Sequence, residues 1–202
     1  MVTHSPVVGV LALQGDFARH AETLSRLGVP AREVRTREAL EGVTALVLPG
    51  GESTTLLKLM ERTGLDAAVR EFRDAGGALF GTCAGLILLA REVSGPKQSS
   101  LGLLDVAVER NGYGRQTDSF ETDLPWTEDP TPVRGVFIRA PRIRAVGKGV
   151  RVLAEIDGEP VLVREGSVLA ATFHPELTGD TRLHRYFVEE VRGTFEPRDR
   201  VA

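Results

Sequence analysis

The stretch "GALFGTCAGLILLA", residues 77–90, decides the fold. Within it "ALFG" reads as a short buried strand, and "AGLILLAREV" as the helix that follows. Between them stands Cys83, the single cysteine in 202 residues, with Gly81 and Gly85 two positions to either side. A strand that turns sharply into a helix points its turn residue out from the carboxyl edge of the sheet, where open α/β sheets bind ligands. The two glycines let the backbone make that turn and let strand and helix approach closely. With the helix starting at Ala84, the thiol lies at the positive end of the helix dipole among free backbone N–H groups, which favour a thiolate. Those N–H groups, Ala84 foremost, can also donate to an oxyanion formed when the thiolate attacks a carbonyl. Gly-x-Cys-x-Gly matches the nucleophile elbow of hydrolases, with cysteine replacing serine. Free cysteines are also common as inert core residues, so the spacing alone leaves both readings open.

Working outward from that elbow, the first half of the chain alternates short apolar runs with amphipathic segments. "VVGVLAL" (7–13), "AREV" (31–34) and "ALVLPGG" (45–51) read as strands. "FARHAETLSRLG" places Phe17, Ala21, Leu24 and Leu27 at helical spacing, and "STTLLKLMERTG" and "LDAAVREFRDAGG" are helices closed by glycine. Such alternation predicts a parallel sheet with helices on both faces. The second half differs. "LDVAVERNGYGRQTDSFETDL", "VRGVFIRAP" and "VRVLAEIDGEPVLVREGSVLAATFHPE" hold strands, with "DG" and "EG" turns that suggest hairpins. "SGPKQSS" (94–100) and "LPWTEDPTP" (124–132) read as loops, and "TRLHRYFVEEVRG" as a closing amphipathic helix with Leu183, Tyr186, Phe187 and Val191 on one side. The expectation is one α/β domain over 1–202, an open and mostly parallel sheet of the flavodoxin-like kind plus antiparallel strands. The ends, about 1–6 and 194–202, are expected to be flexible.

Composition excludes several classes of function. A net charge of −3 gives no electrostatic reason for binding nucleic acid or an anionic membrane. One cysteine leaves no intramolecular disulfide and no cysteine-based zinc site, and fits a reducing cytosol. The start, "MVTHSPVVGVLALQGD", has no basic n-region and only a short apolar run, so neither signal peptide nor membrane span is expected. A cytoplasmic location follows from that reading.

A cysteine nucleophile needs a base, and the base needs an orienting group. Of the four histidines, His4 lies near the start, and His20 and His184 fall in amphipathic helices where a solvated or packed ring is the ordinary reading. His174 differs, because "LAATFHPEL" is a strand that stops at His-Pro-Glu. Pro175 biases His174 toward extended geometry, and residues two apart in an extended chain project to one side, so Glu176 can reach the imidazole. A carboxylate on one ring nitrogen leaves the other to accept the thiol proton. "LPGGEST" (48–54) adds a glycine pair after a strand, which exposes backbone N–H groups, and Ser53 is expected to cap the following helix. It is no P-loop, since Gly-x-x-x-x-Gly-Lys is absent.

"GTCAGLILLA" with "FHPEL" resembles the class I (triad) glutamine amidotransferases. "LALQGDFARH", "PGGESTTL" and "VERNGYGRQTDSFE" followed by "GVFIRAP" narrow the resemblance to the glutaminase subunits of pyridoxal 5′-phosphate synthases, over residues 7 to 190. The resemblance implies an enzyme that hydrolyses L-glutamine, with Cys83 attacking the amide, His174 moving protons and Glu176 orienting it. It implies that Gly51, Glu52, Ser53, Arg110, Ile138 and Arg139 hold glutamine. The oxyanion hole would be formed by Ala84 and the Gly50–Gly51 segment. It implies no metal and no cofactor in this chain, and a (β/α)₈-barrel synthase partner, in a large hetero-oligomer, that receives the ammonia. Gln14, Gly15 and Asp16, after the first strand on the same sheet edge, are expected in the docking surface. Two alternatives stay open at this point: a glutaminase serving another synthase, and a non-catalytic regulatory subunit of the same fold.

Overall fold

A computed structural model describes residues 7–110, 112 and 119–191. The first half is a run of β1 (Val7–Leu11), α1 (Phe17–Arg26), β2 (Ala31–Val34), β3 (Val43–Leu48), α2 (Ser53–Thr63), α3 (Leu65–Asp74), β4 (Ala78–Thr82) and α4 (Ala84–Leu89). The second half is β5 (Ala90–Ser94), β6 (Leu104–Glu109), β7 (Phe120–Trp126), β8 (Asp129–Phe137), β9 (Arg142–Val146), β10 (Arg151–Ile156), β11 (Glu159–Glu165), β12 (Val168–Ala171) and α5 (Arg182–Tyr186), which runs into a π turn.

Among the described residues nine strands make the main sheet, in the order β2-β1-β3-β4-β12-β11-β10-β7-β8. The part from β2 to β12 is parallel and the remainder antiparallel. β12 therefore arrives beside β4, with Ala171 opposite Thr82, and brings the end of the chain's last strand next to the elbow. Strands β5, β6 and β9 form a separate three-stranded sheet.

Side chains alternate across a strand, and both faces of the parallel part are covered. In β3 Leu46 and Leu48 enter one core with α2, α3, α4 and the small sheet, through Leu56, Met60, Val69, Leu88 and Ile143. Ala45 and Val47 enter the other, with Leu24 of α1, Phe137 of β8, and Leu183 and Phe187 at the C-terminal end. This explains why these strands read as unbroken apolar runs.

Two expectations are corrected, and the closing helix is present with a change of pitch. The helix after Cys83 ends at Leu89, and Ala90–Ser94 is a strand paired in parallel with β6; only Ala90 and Val93 of it are buried. "LPWTEDPTP" is a hairpin, with β7 and β8 joined through Thr127 and Glu128. Its prolines are tolerated because β8 is the sheet edge and the register shifts between Leu124 and Trp126. The closing helix has one α segment and a π turn, with Leu183, Tyr186 and Phe187 buried. Asn111, residues 113–118, both chain ends and the Val191 side chain lie outside the described residues. Most of the "ERNGYGRQ" stretch is therefore among them. No described helix is long and apolar enough to cross a membrane.

Candidate active site

Cys83 joins β4 to α4 with φ 47° and ψ −101°, a conformation that L residues rarely adopt. The cysteine, rather than a glycine, takes the strained step of the turn. Such strain costs on the order of 1–3 kcal/mol and persists where surrounding contacts impose it. The Cys83 N–H donates to Ala171 O at 2.9 Å, and its carbonyl accepts from Ile87 N at 3.2 Å. The flanking glycines serve close approach instead. A Cβ at Gly85 would stand 2.0 Å from Leu48 O, and one at Gly81 would stand 2.7 Å from Gly85 C. Ala84 opens α4, so its N–H has no intrahelical acceptor.

His174 follows β12, its N–H donating to Val136 O at 2.8 Å. Pro175 starts a 3-10 turn (Pro175–Leu177) that folds Glu176 back beneath the ring. The expected pairing is present, but a turn makes it where extended backbone was expected. His174 Nδ1 lies 2.7 Å from Glu176 Oε1, and both side chains are buried. The other ring nitrogen is left for Cys83, with which His174 is hydrogen-bonded. Gly50 passes under the ring so closely that a Cβ there would be 2.3 Å from His174 Cε1. Burial opposes charge on His174, but the hydrogen bonds and charges of Cys83 and Glu176 outweigh it and raise its pKa to about 10.

The imidazolium is therefore held at neutral pH and lost as pH rises through about 10. Glu176→Gln removes one of its two supports. In this variant the alkaline limb of the pH–rate profile should move to lower pH, and kcat at neutral pH should fall on the order of 10²–10⁴-fold. An unmoved limb with near-normal turnover would remove Glu176 from the triad.

Cys83 and His174 open into a cavity of about 310 Å³. Its walls include Gln14, Asp16, Gly51, Glu52, Ser53, Arg110, Ile138 and Arg139. Every residue expected to hold glutamine is thus at one cavity with the thiol, and Ile87 joins them. Ser53 is not the helix cap. Glu52 caps α2, its carboxylate accepting from Thr54 N at 3.2 Å and Thr55 N at 2.7 Å. Burial pushes the Glu52 carboxyl up, and the hydrogen bonds from Thr55 and Thr54 outweigh that and hold it below the ordinary value. Ser53 begins the helix, its Oγ donating to Gln98 Oε1 at 2.9 Å. Arg110 sits 3.3 Å from Glu52, placing one cation beside one anion on the cavity wall. Arg139, two residues past the end of β8, has φ 43°, another strained step at the site.

Gln14 and Asp16 line the cavity as well as forming the loop after β1. Gln14 Oε1 accepts from Glu52 N at 2.8 Å, and Asp16 N donates to Gly50 O at 3.3 Å. Gly15 has φ 94°, and a Cβ there would be 1.8 Å from Gly50 O. The loop is therefore fastened to the Gly50–Gly51–Glu52 segment. Gln98 and Ile87 were not singled out by sequence: Gln98, which accepts from Ser53, lies in a loop with no motif of its own, and Ile87 is one of several apolar positions in the helix after Cys83.

A cysteine on a strained strand–helix elbow, a histidine and a buried carboxylate define a triad hydrolase on an open α/β sheet. The SNO glutamine amidotransferase family model matches residues 10–193, and the chain belongs to that family. It is 61% identical over 185 residues to pyridoxal 5′-phosphate synthase subunit PdxT of Thermus thermophilus, covering 91% of this chain and 96% of that one. It is 51% identical to the subunit of the same name from Niallia circulans, covering 92% and 97%. A crystal structure of a glutamine amidotransferase superposes with a TM-score of 0.87 at 57% identity, covering 92% of this chain and 98% of that one.

Proposed function

We propose that this chain is the glutaminase subunit of a pyridoxal 5′-phosphate synthase. The observation that carries the reading is the line Cys83–His174–Glu176 opening into a cavity whose wall pairs Glu52 with Arg110. Glutamine carries an α-ammonium and an α-carboxylate, so its recognition calls for an acceptor and a donor held at fixed separation. Gly51, Ser53, Ile138 and Arg139 complete that subsite.

The Cys83 thiolate attacks the side-chain amide carbon, and the negative oxygen is received by the N–H groups of Ala84 and the Gly50–Gly51 segment. The His174 imidazolium gives its proton to the departing nitrogen, so ammonia leaves and a glutamyl thioester remains on Sγ. Neutral His174 then takes a proton from water, whose oxygen attacks the thioester and frees glutamate and the thiolate. Glu176 keeps Nδ1 protonated throughout. No step calls on a metal or cofactor.

The ammonia goes to a (β/α)₈-barrel synthase subunit that builds pyridoxal 5′-phosphate from ribose 5-phosphate and glyceraldehyde 3-phosphate, within a large cytoplasmic hetero-oligomer. The relatives named PdxT support a synthase partner. Gln14, Gly15 and Asp16 belong to the docking surface. Because this loop holds Gly50 O and Glu52 N, a partner pressing on it settles the Gly50–Gly51 peptide and completes the oxyanion hole. Ammonia release should therefore have a higher kcat when the synthase is added, with pyridoxal phosphate formed in step. Equal turnover with and without the synthase sinks the docking account.

A further inference from the structure

Behind the triad, away from the cavity, lie two histidines that the chemistry above does not use. His20 of α1 and His184 of α5 are both fully buried. His20 Nδ1 is 2.9 Å from His184 Nε2, and His20 Nε2 is 3.2 Å from Thr82 Oγ1. Nε2 also faces Glu176 Oε2 at 3.4 Å. Among the described residues that oxygen has no hydrogen-bond partner, whereas Oε1 of the same carboxylate accepts from His174. Four elements thus meet at His20: α1, the end of β4 one residue before Cys83, the His-Pro-Glu turn, and α5.

We propose that His20 is a positioning residue of the triad, its Nε2–H facing the second oxygen of Glu176 and His184 fixing the tautomer that presents that proton.

The polarity follows from satisfaction of donors and acceptors. An ionised Glu176 beside the His174 imidazolium only accepts. Hydrogen on Nε2, lying between Thr82 Oγ1 at 3.2 Å and Oε2 at 3.4 Å, therefore keeps a lone pair from facing the carboxylate while Thr82 accepts the hydrogen bond. With hydrogen on Nε2, His20 Nδ1 is an acceptor, and His184 Nε2–H donates to it. His184 Nδ1 then carries no proton, consistent with its having no partner among the described residues. The reverse tautomer would set two lone pairs against each other across 3.4 Å inside the protein. Both rings stay neutral: burial, then His184 and His174, hold His20 well below its usual value, and burial, then Arg26, pushes His184 down to about 3. The pair therefore supplies oriented N–H dipoles without a second cation competing with His174 for Glu176. Partners behind a ligand or base commonly matter about 10–100-fold in activity.

The inference rests on the glutaminase reading, and its test separates the two. In the complex with synthase, wild-type ammonia release checks the reading itself. His20→Met keeps the volume and removes the N–H; it should lower kcat about 10–100-fold with KM for glutamine within about twofold. His20→Gln, whose amide N–H reaches the Nε2 position, should recover most of that loss. A merely structural role would lower the melting temperature without this split and without rescue. Nitrogen-15 NMR of histidine-labelled wild-type chain gives a reading independent of folding in any variant, and should show His20 protonated at Nε2 at neutral pH. Hydrogen on Nδ1, or equal activity of His20→Met and wild type, overturns the proposal.

Discussion

Cys83→Ala should abolish glutamine hydrolysis, at least about 10⁴-fold in kcat, while the chain still folds and still binds its synthase. The reason lies in what the substitution spares. Cys83 contributes little packing beyond a buried Cβ, and alanine inherits the same strained φ of 47°. The N–H to Ala171 and the first bond of α4 are backbone bonds that alanine keeps. The melting temperature should thus stay within a few degrees of the parent, as measured by calorimetry, while ammonia release disappears. Supplying free ammonia to the complex should restore pyridoxal phosphate formation, because the missing step is hydrolysis alone. Hydrolysis at the parent rate would refute the nucleophile.

Gly85→Ala is expected to have the largest effect on the scaffold of the site. Its Cβ would stand 2.0 Å from Leu48 O and 2.8 Å from Leu48 C, both backbone atoms at the end of β3, the middle strand of the parallel part of the sheet. Neither can swing aside as the tip of a flexible side chain could. The start of α4 must lift from β3, carrying Ala84 and Cys83 with it. Overpacking of this kind costs about 1–3 kcal/mol, or more where backbone is involved, and each kcal/mol is worth roughly 2–4 °C in a chain of this size. Both the melting temperature and kcat should fall together, which distinguishes this glycine from Cys83. Parent-like values of both would mean that α4 does not need its close approach to β3.

These two residues also show how far the sequence could be read. The elbow was legible once Gly-x-Cys-x-Gly between two apolar runs was set beside His-Pro-Glu, and so was one of the two tasks expected of its glycines. They were expected both to bend the chain and to allow close approach; the cysteine itself takes the strained dihedral, and the close approach of β3 and α4 is the task the glycines keep. Strand alternation in the first half was legible because both faces are buried. In the second half local pattern could not tell which strands continue the sheet. "AREV" at 90–93 continues a helical apolar pattern, and only its partner β6, over ten residues away, makes it a strand. Glu52 displaced Ser53 as the cap because a carboxylate can accept from two N–H groups at once. His20 and His184 were invisible for a related reason. A histidine on an amphipathic helix looks the same whether it meets solvent or a catalytic carboxylate, and only the tertiary fold brings α1, α5 and the His-Pro-Glu turn together.

The most direct measurement of the central claim is covalent labelling by a diazoketone analogue of glutamine in the complex with synthase, read by peptide mass spectrometry alongside ammonia release. One equivalent should attach to Cys83, glutamine should protect it, and hydrolysis should fall in proportion to labelling. Attachment at another residue, or full hydrolysis by a chain already labelled at Cys83, would contradict the account.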